Sequence, residues 1–269
     1  MKKTWLILIA VLMLCSTTKV MAKDGLIDFW FTPIQLAGGE DINLVVPDSL
    51  ALVTLGCGSV LQKASFATFV IVADRCKFGF LQSALLFNQE TEMSFLQLAG
   101  GVNEKTKIGV LQLAGGGNME TKIGVFQLAG LANGKTEMSF LQLAGLANTE
   151  TKKSFIQAAV LCNGVEEFGF LQLAAGGNVG GLIQMAAIYN EGGFVQISGI
   201  NAKGKGLQLG VCNDTAPFQV GVLNHSEESG LFQLGLFNMS RSAQFQLGLL
   251  NYNKDSIFFK WMPFFNIGG

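Results

Sequence analysis

The sequence predicts an all-β protein, a β-solenoid of about 13–16 short coils with capping ends. Three observations predict it. A short apolar unit, roughly Phe-Leu-Gln-Leu-Ala-Gly-Leu-x-Asn, returns along most of the chain. Its glutamine falls at Gln82, Gln97, Gln112, Gln127, Gln142, Gln157, Gln172, Gln184, Gln196, Gln208, Gln219, Gln233 and Gln246. Six consecutive spacings are 15, three are 12, and the last three are 11, 14 and 13. Second, the residue before each Gln is a large apolar one, and the residue two after it is always Ala, Ser or Gly, as at Ala99, Ser198 and Gly235. Side chains alternate faces on a strand, so Gln shares one face with the small residue and the large apolar neighbours share the other. That Leu-rich face is expected to be buried. Third, Gly pairs such as Gly100-Gly101 and Gly115-Gly116 fall inside the unit, and each would cost a helix about 1 kcal/mol.

The elements follow in order. Residues 1–22 read as a signal peptide. Lys2 and Lys3 form a basic start, Trp5 to Leu14 an apolar run too short to span a bilayer, and Val20-Met21-Ala22 a small-residue cleavage site. Cys15 raises lipidation as another reading, with Leu14 before it a poor fit. Residues 23–77 are expected to be an N-terminal cap with irregular first coils; Gln35 marks a partial unit and Leu61-Gln62 a second candidate. Residues 78–251 form the repeat domain. Residues 252–269 are dense in aromatics from Phe258 to Phe265 and read as a C-terminal cap, because an open stack exposes unpaired edges.

Strand direction is open to one alternative. A unit could be one strand of an antiparallel transmembrane β-barrel, given export, alternating apolar residues and short turns. The identity of odd and even units favours the solenoid, since in a meander alternate strands see different surroundings. Stacked Gln and Asn rows also favour it, because amides can bond one another along a stack. A coil of this length must bend inside the unit, and the small residue two after Gln is the expected place. The Asn closing each unit lies six residues after Gln in the first eight units and five after it from Gln196 on, which implies a narrower coil there.

Composition limits function. Apolar residues make up 49% of the chain and charged residues 14%, which excludes a disordered chain. The only arginines are Arg75 and Arg241, so no basic patch exists for nucleic acid. Cys57, Cys76, Cys162 and Cys212 remain after the leader is removed. Cys162 and Cys212 sit where sister units carry small or apolar residues and read as buried hydrophobes. Cys57 with Cys76 is the candidate disulfide. No CxxC pair suggests zinc.

Chemistry is sparse. His225, the only histidine, stands beside Ser226 and Glu227 with no Gly-x-Ser-x-Gly elbow, and reads as a solvated side chain. The carboxylates sit in linkers such as Glu104-Lys105-Thr106-Lys107. They read as solvated edge charges that discourage strand addition. Asn213, Asn224 and Asn238 match the glycosylation pattern. Neither catalytic residues, a metal site nor a cofactor is expected.

The late units Gly206-Leu-Gln-Leu-Gly-Val-Cys-Asn213, Gly230 to Asn238 and Phe245-Gln-Leu-Gly-Leu-Leu-Asn251 resemble the iterated Gly-Leu-Gln-Leu-Gly-Leu-x-Asn units of bacterial exported surface repeat proteins and lipoproteins. The resemblance spans residues 78–269. It implies an exported, envelope-associated protein in the periplasm, outer membrane or at the cell surface. The expected function is therefore a non-enzymatic structural or interaction surface of the cell envelope. Its partner would be a protein or envelope component, with membrane association open. A small pore or anchor is the alternative if the chain is a barrel.

Overall fold

The computed structural model describes residues 30–38, 49–57, 59–227 and 230–268. The expected leader, residues 1–22 with Cys15, lies outside the described residues. The chain divides into two compact units, residues 1–139 and 140–269. Each is a β-solenoid, with successive coils paired parallel and in register. This excludes the antiparallel barrel, in which sequential strands alternate direction.

In the first unit, parallel pairing starts at Trp30–Gly38 against Ser49–Cys57 and continues through Ser59–Val70 to Ala73–Ala84. Gln35, Thr54, Thr68 and Gln82 stand in one column. Gln97, Gln112 and Gln127 extend it. Gln62 does not belong to it. It pairs with Cys76, and Thr68 holds the place expected for a glutamine. A short hydroxyl thus stands in for the amide, and the apparent irregularity of residues 49–70 is one of residue type, not of backbone register.

In the second unit, the column runs Gln157, Gln172, Gln184, Gln196, Gln208, Gln219, Gln233, Gln246. The last coil strand, Phe245–Asn253, then meets Trp261–Ile267 antiparallel. This closing strand covers the terminal edge with Pro263, which has no N–H to offer a further strand.

Two coil types are built from one plan. A long coil runs a strand (Met93–Ala99), a bend at Gly100-Gly101, a short strand (Val102–Glu104) and a left-handed turn at Lys105, φ 52°. The bend follows the small residue by one position. The small residue itself lies on the strand and points inward, as buried Ala99 does. A short coil keeps the strand (Ile183–Ala186), the bend and the second strand (Tyr189–Glu191), with Gly192 at the left-handed turn, φ 82°. It omits three residues between Asn and the next Gln. Those are the ones that bring Thr106 and Gly109 inward in the long coil, and Gly193 alone fills the space.

The burial pattern reverses the sequence expectation. The Leu-rich face is outside and the glutamines are inside: every ladder Gln from Gln82 to Gln246 has zero exposure. The ladder asparagines are buried too, at 2% or less. Among the described residues, the large side chains with no exposure are amides, and the buried apolar ones are Ala, Val and Cys. The reason is one of space. Coils of 11 to 15 residues enclose a lumen too narrow for Leu or Phe from every side. Small residues and flat amides fill it, provided each amide finds partners.

Candidate interaction surface

The lumen is held by two amide ladders of opposite polarity. In the first unit, Gln97 Nε2 donates to Gln82 Oε1 at 3.0 Å, Gln112 to Gln97 at 2.8 Å and Gln127 to Gln112 at 2.9 Å. Each glutamine donates back to the coil before it. The asparagines donate forward: Asn88 Nδ2 to Asn103 Oδ1 at 2.7 Å, Asn103 to Asn118 at 2.7 Å, Asn118 to Asn133 at 2.8 Å. The second unit keeps both directions, as in Gln208 to Gln196 and Asn201 to Asn213, each 2.8 Å. Two columns of aligned amide dipoles thus oppose one another, which limits the net field along the stack.

Opposite polarity fixes which atoms lack partners. In a backward-donating row the last acceptor is orphaned, and in a forward-donating row the first. Gln246 Oε1 and Asn88 Oδ1 are both buried without a hydrogen-bond partner. Donors at the row ends fare better: Gln82 Nε2 donates to the Cys76 carbonyl and Asn251 Nδ2 to the Met262 carbonyl.

The second amide proton of Gln separates the coil types. In the long coil Gln97 Nε2 also donates to Thr91 Oγ1 at 2.9 Å, and Thr106 Oγ1 donates to Gln97 Oε1 at 3.1 Å. Both lone pairs of that oxygen are then used. The short coils have no threonine there. Gln208 Nε2 and Gln219 Nε2 donate instead to the backbone carbonyls of Asp214 and His225, at 2.9 and 2.8 Å.

With the lumen polar, the outside is apolar. Phe66, Phe80 and Phe95 stack in one column, centroids 5.1 and 4.9 Å apart and ring planes nearly parallel. Phe140, Phe155 and Phe170 do the same in the second unit, at 5.1 and 4.8 Å. Those spacings are the rung spacing itself. Phe95 is 51% exposed, Leu85 63% and Leu131 55%. In the second unit a groove of about 570 Å³ runs along the stack between Ile200, Cys212, Leu223 and Phe237, with Trp261 at its end. Trp261 stands against Tyr252, centroids 4.7 Å apart.

Charges gather at one edge of the coil. Between Gln82 and Ser139 every Lys and Glu lies seven, eight or ten residues after a ladder glutamine, around the left-handed turn. Lys107 pairs with Glu92 at 3.3 Å and Lys135 with Glu120 at 3.5 Å, one coil to the next. Exposed pairs of this kind contribute about 0–1 kcal/mol each. Among the described residues no group of three or more His, Cys, Asp or Glu could hold a metal ion.

Other sequence expectations change with the geometry. His225 keeps a solvent-exposed side chain and also has a partner: Nδ1 lies 2.8 Å from Asp214 Oδ1, one coil back in the same column. Asn213, Asn224 and Asn238 are ladder amides at 2% exposure, shut away from a glycosylating enzyme. Cys162 is exposed and Cys212 half-buried, because both positions face outward. The Cys57–Cys76 bridge is not formed. Cys76 is a free buried thiol that donates to the Phe78 carbonyl at 3.2 Å. The strand Ser59–Val70 lies between their two strands, with Cys76 opposite Gln62 and Gly56 opposite Val70; two rungs alone separate Cα atoms by at least about 9–10 Å, beyond the reach of a disulfide.

Asp74 is the functional oddity that the sequence did not flag. It stands in the asparagine column, in register with Asn88, where an amide would continue the row. It is 1% exposed, accepts from Thr68 Oγ1, and leaves Oδ1 unpartnered. Burial pushes its carboxyl up to about 7, against the Thr68 bond that lowers it. Burial, then the Asp74 charge, push the Cys76 thiol up to about 12, which leaves that sulfur neutral and unreactive.

No family model matches this chain, and neither the curated proteins nor the solved structures contain a match to it.

Proposed function

We infer that this chain is a non-enzymatic, exported repeat protein of a bacterial cell envelope, and that its outer surface serves as a structural or interaction surface. One observation carries the reading: polar groups line the lumen and large apolar side chains line the exterior. A soluble monomer rarely exposes a contiguous apolar patch beyond a few hundred Å². Outward Leu and Phe on coil after coil call for something to cover them. Repetition supports a broad contact with an envelope component, not a deep pocket around a substrate. The leader-like residues 1–22 and the resemblance of the late units to surface repeat proteins support export to the periplasm, outer membrane or cell surface. The reading needs neither cofactor nor nucleic acid.

The test is expression of the full chain with its own N-terminus in a bacterium, followed by fractionation and N-terminal sequencing. A mature chain beginning at Lys23 in the envelope fraction is expected. An intact Met1 in the cytosol would sink the export half. A chain that disperses as a monomer in buffer without detergent would sink the surface half.

A further inference from the structure

We propose that the apolar outer sides of the first unit lie in the hydrocarbon of a membrane leaflet, with the Lys/Glu edge held at the headgroup level. This rests on the interaction-surface reading above and names its partner.

Three observations point to a lipid layer. Apolar side chains face outward from more than one side of the coil: Phe95 before Gln97, Leu98 after it, and Leu85 and Leu131 at the bends of their coils. A flat protein partner covers one side, whereas hydrocarbon covers them all. Second, the lateral surface has its backbone satisfied. The strands pair with the coils above and below, and the bends do the same: Gly100 N–H donates to the Ala84 carbonyl at 3.1 Å and Gly101 N–H to Leu86 at 3.0 Å. A lipid-facing surface must meet this condition, since unpaired backbone groups are costly in hydrocarbon. Third, between Gln82 and Ser139 the charges form a single boundary. They occupy one edge, Lys and Glu interleaved and paired from coil to coil, and the long Lys and Glu stems can reach outward to water. The unit is thus the solenoid counterpart of an interfacial amphipathic helix. A mixed-charge edge complements zwitterionic headgroups, so binding is expected without anionic lipid and is expected to survive high salt.

The experiment uses the full mature chain, transferred from mild detergent to phosphatidylcholine vesicles and floated on a density gradient. Flotation at both 0.1 and 1 M salt, roughly threefold apart in screening length, is expected. Two reporters locate the depth. Phe95→Trp should be quenched by lipids brominated on the acyl chain far more than Lys105→Trp, against the same native tryptophan background. A Met93→Lys/Phe95→Lys variant should bind vesicles on the order of a hundredfold more weakly. Equal quenching at the two reporters overturns the proposal, as does flotation unchanged in the charged variant. If that variant loses its β circular dichroism, the reporter pair decides alone. A discrete dimer that forms without lipid and ignores vesicles also overturns it, while leaving the interaction-surface reading intact. A monomer that needs neither detergent nor lipid defeats both.

Discussion

The 15-residue coils of the first unit and the 11- and 12-residue coils of the second solve one problem in two ways. Both must satisfy a buried glutamine on every rung. The long coil has room for a third inward group and uses a threonine hydroxyl, as Thr106 serves Gln97. The short coil lacks that room and turns the amide onto the backbone, as Gln208 does with the Asp214 carbonyl. Small residues shift accordingly. Two after Gln, the long coil carries Ala, as at Ala114. From Gln208 on the position is Gly, crowded by the inward amide of the Asn five residues after Gln, whereas the Gln196 coil, of the same spacing, carries Ser198, whose hydroxyl bonds Asn201. A Cβ on Gly235 would meet the Gly221 carbonyl at 2.4 Å and Asn224 Nδ2 at 2.5 Å. What varies between coils is therefore the partner of the amide. The amide itself stays.

That comparison can be broken most forcefully at the crowded glycine. Gly235→Val is expected to destabilise the second unit by more than about 3 kcal/mol, through overlap with fixed backbone. The reason is close approach, since Gly235 has no positive φ. Ala114→Gly, at the matching long-coil position, should cost only about 1 kcal/mol. Urea denaturation of both variants would decide it, and equal losses would refute the difference between coil types.

Next in size is the ladder. Gln112→Leu removes a buried amide and takes one hydrogen bond from each neighbouring rung, at Gln97 Oε1 and at Gln127 Nε2. A loss of about 2–4 kcal/mol is expected. If the apolar variant matched the parent in denaturation midpoint, the amide row would not be what holds the lumen.

The threonine is worth less. Thr106→Val keeps the shape and removes the hydroxyl, so about 1 kcal/mol is expected. The short coils offer no equivalent residue, so the effect belongs to the long coils alone. A melting curve within error of the parent would show the Thr bond to be dispensable.

A further effect is one of pH. The Asp74 carboxyl is held near 7 in the folded state against an ordinary value of 3.8. The folded chain therefore binds that proton more tightly than the unfolded one. Its contribution is fully present below about pH 4 and fades as pH rises through about 7. A protonated Asp74 has an O–H to offer in a column where Asn88 Oδ1 lacks a donor. Asp74→Asn should flatten the fall in melting temperature between pH 5 and 8 and raise it at pH 8. A variant with the same pH slope as the parent would remove Asp74 from the account.

How much was legible in the sequence can be judged from particular residues. The even spacing of Gln82 to Gln127 and the sameness of odd and even units implied identical stacked rungs, and the parallel register follows from them. Alternation also placed Gln and the small residue on one face. It did not say which face was inside. Hydrophobicity alone put Leu96 and Leu98 in the core. Thr68 and Asp74 escaped notice because they occupy ladder columns without being amides, and only register reveals a substitution of that kind. Cys57 and Cys76 looked like a pair because a sequence does not show the strand that lies between them.

The repeat by itself determined that every coil would resemble the next, because like segments stacked in register satisfy like needs. The tertiary structure decided what the lumen would accept. A tube of 11 to 15 residues per turn encloses too little room for Leu and Phe, whereas a flat amide fits and bonds along the axis. Volume inside the coil thus overrode the usual preference for burying the largest apolar side chains.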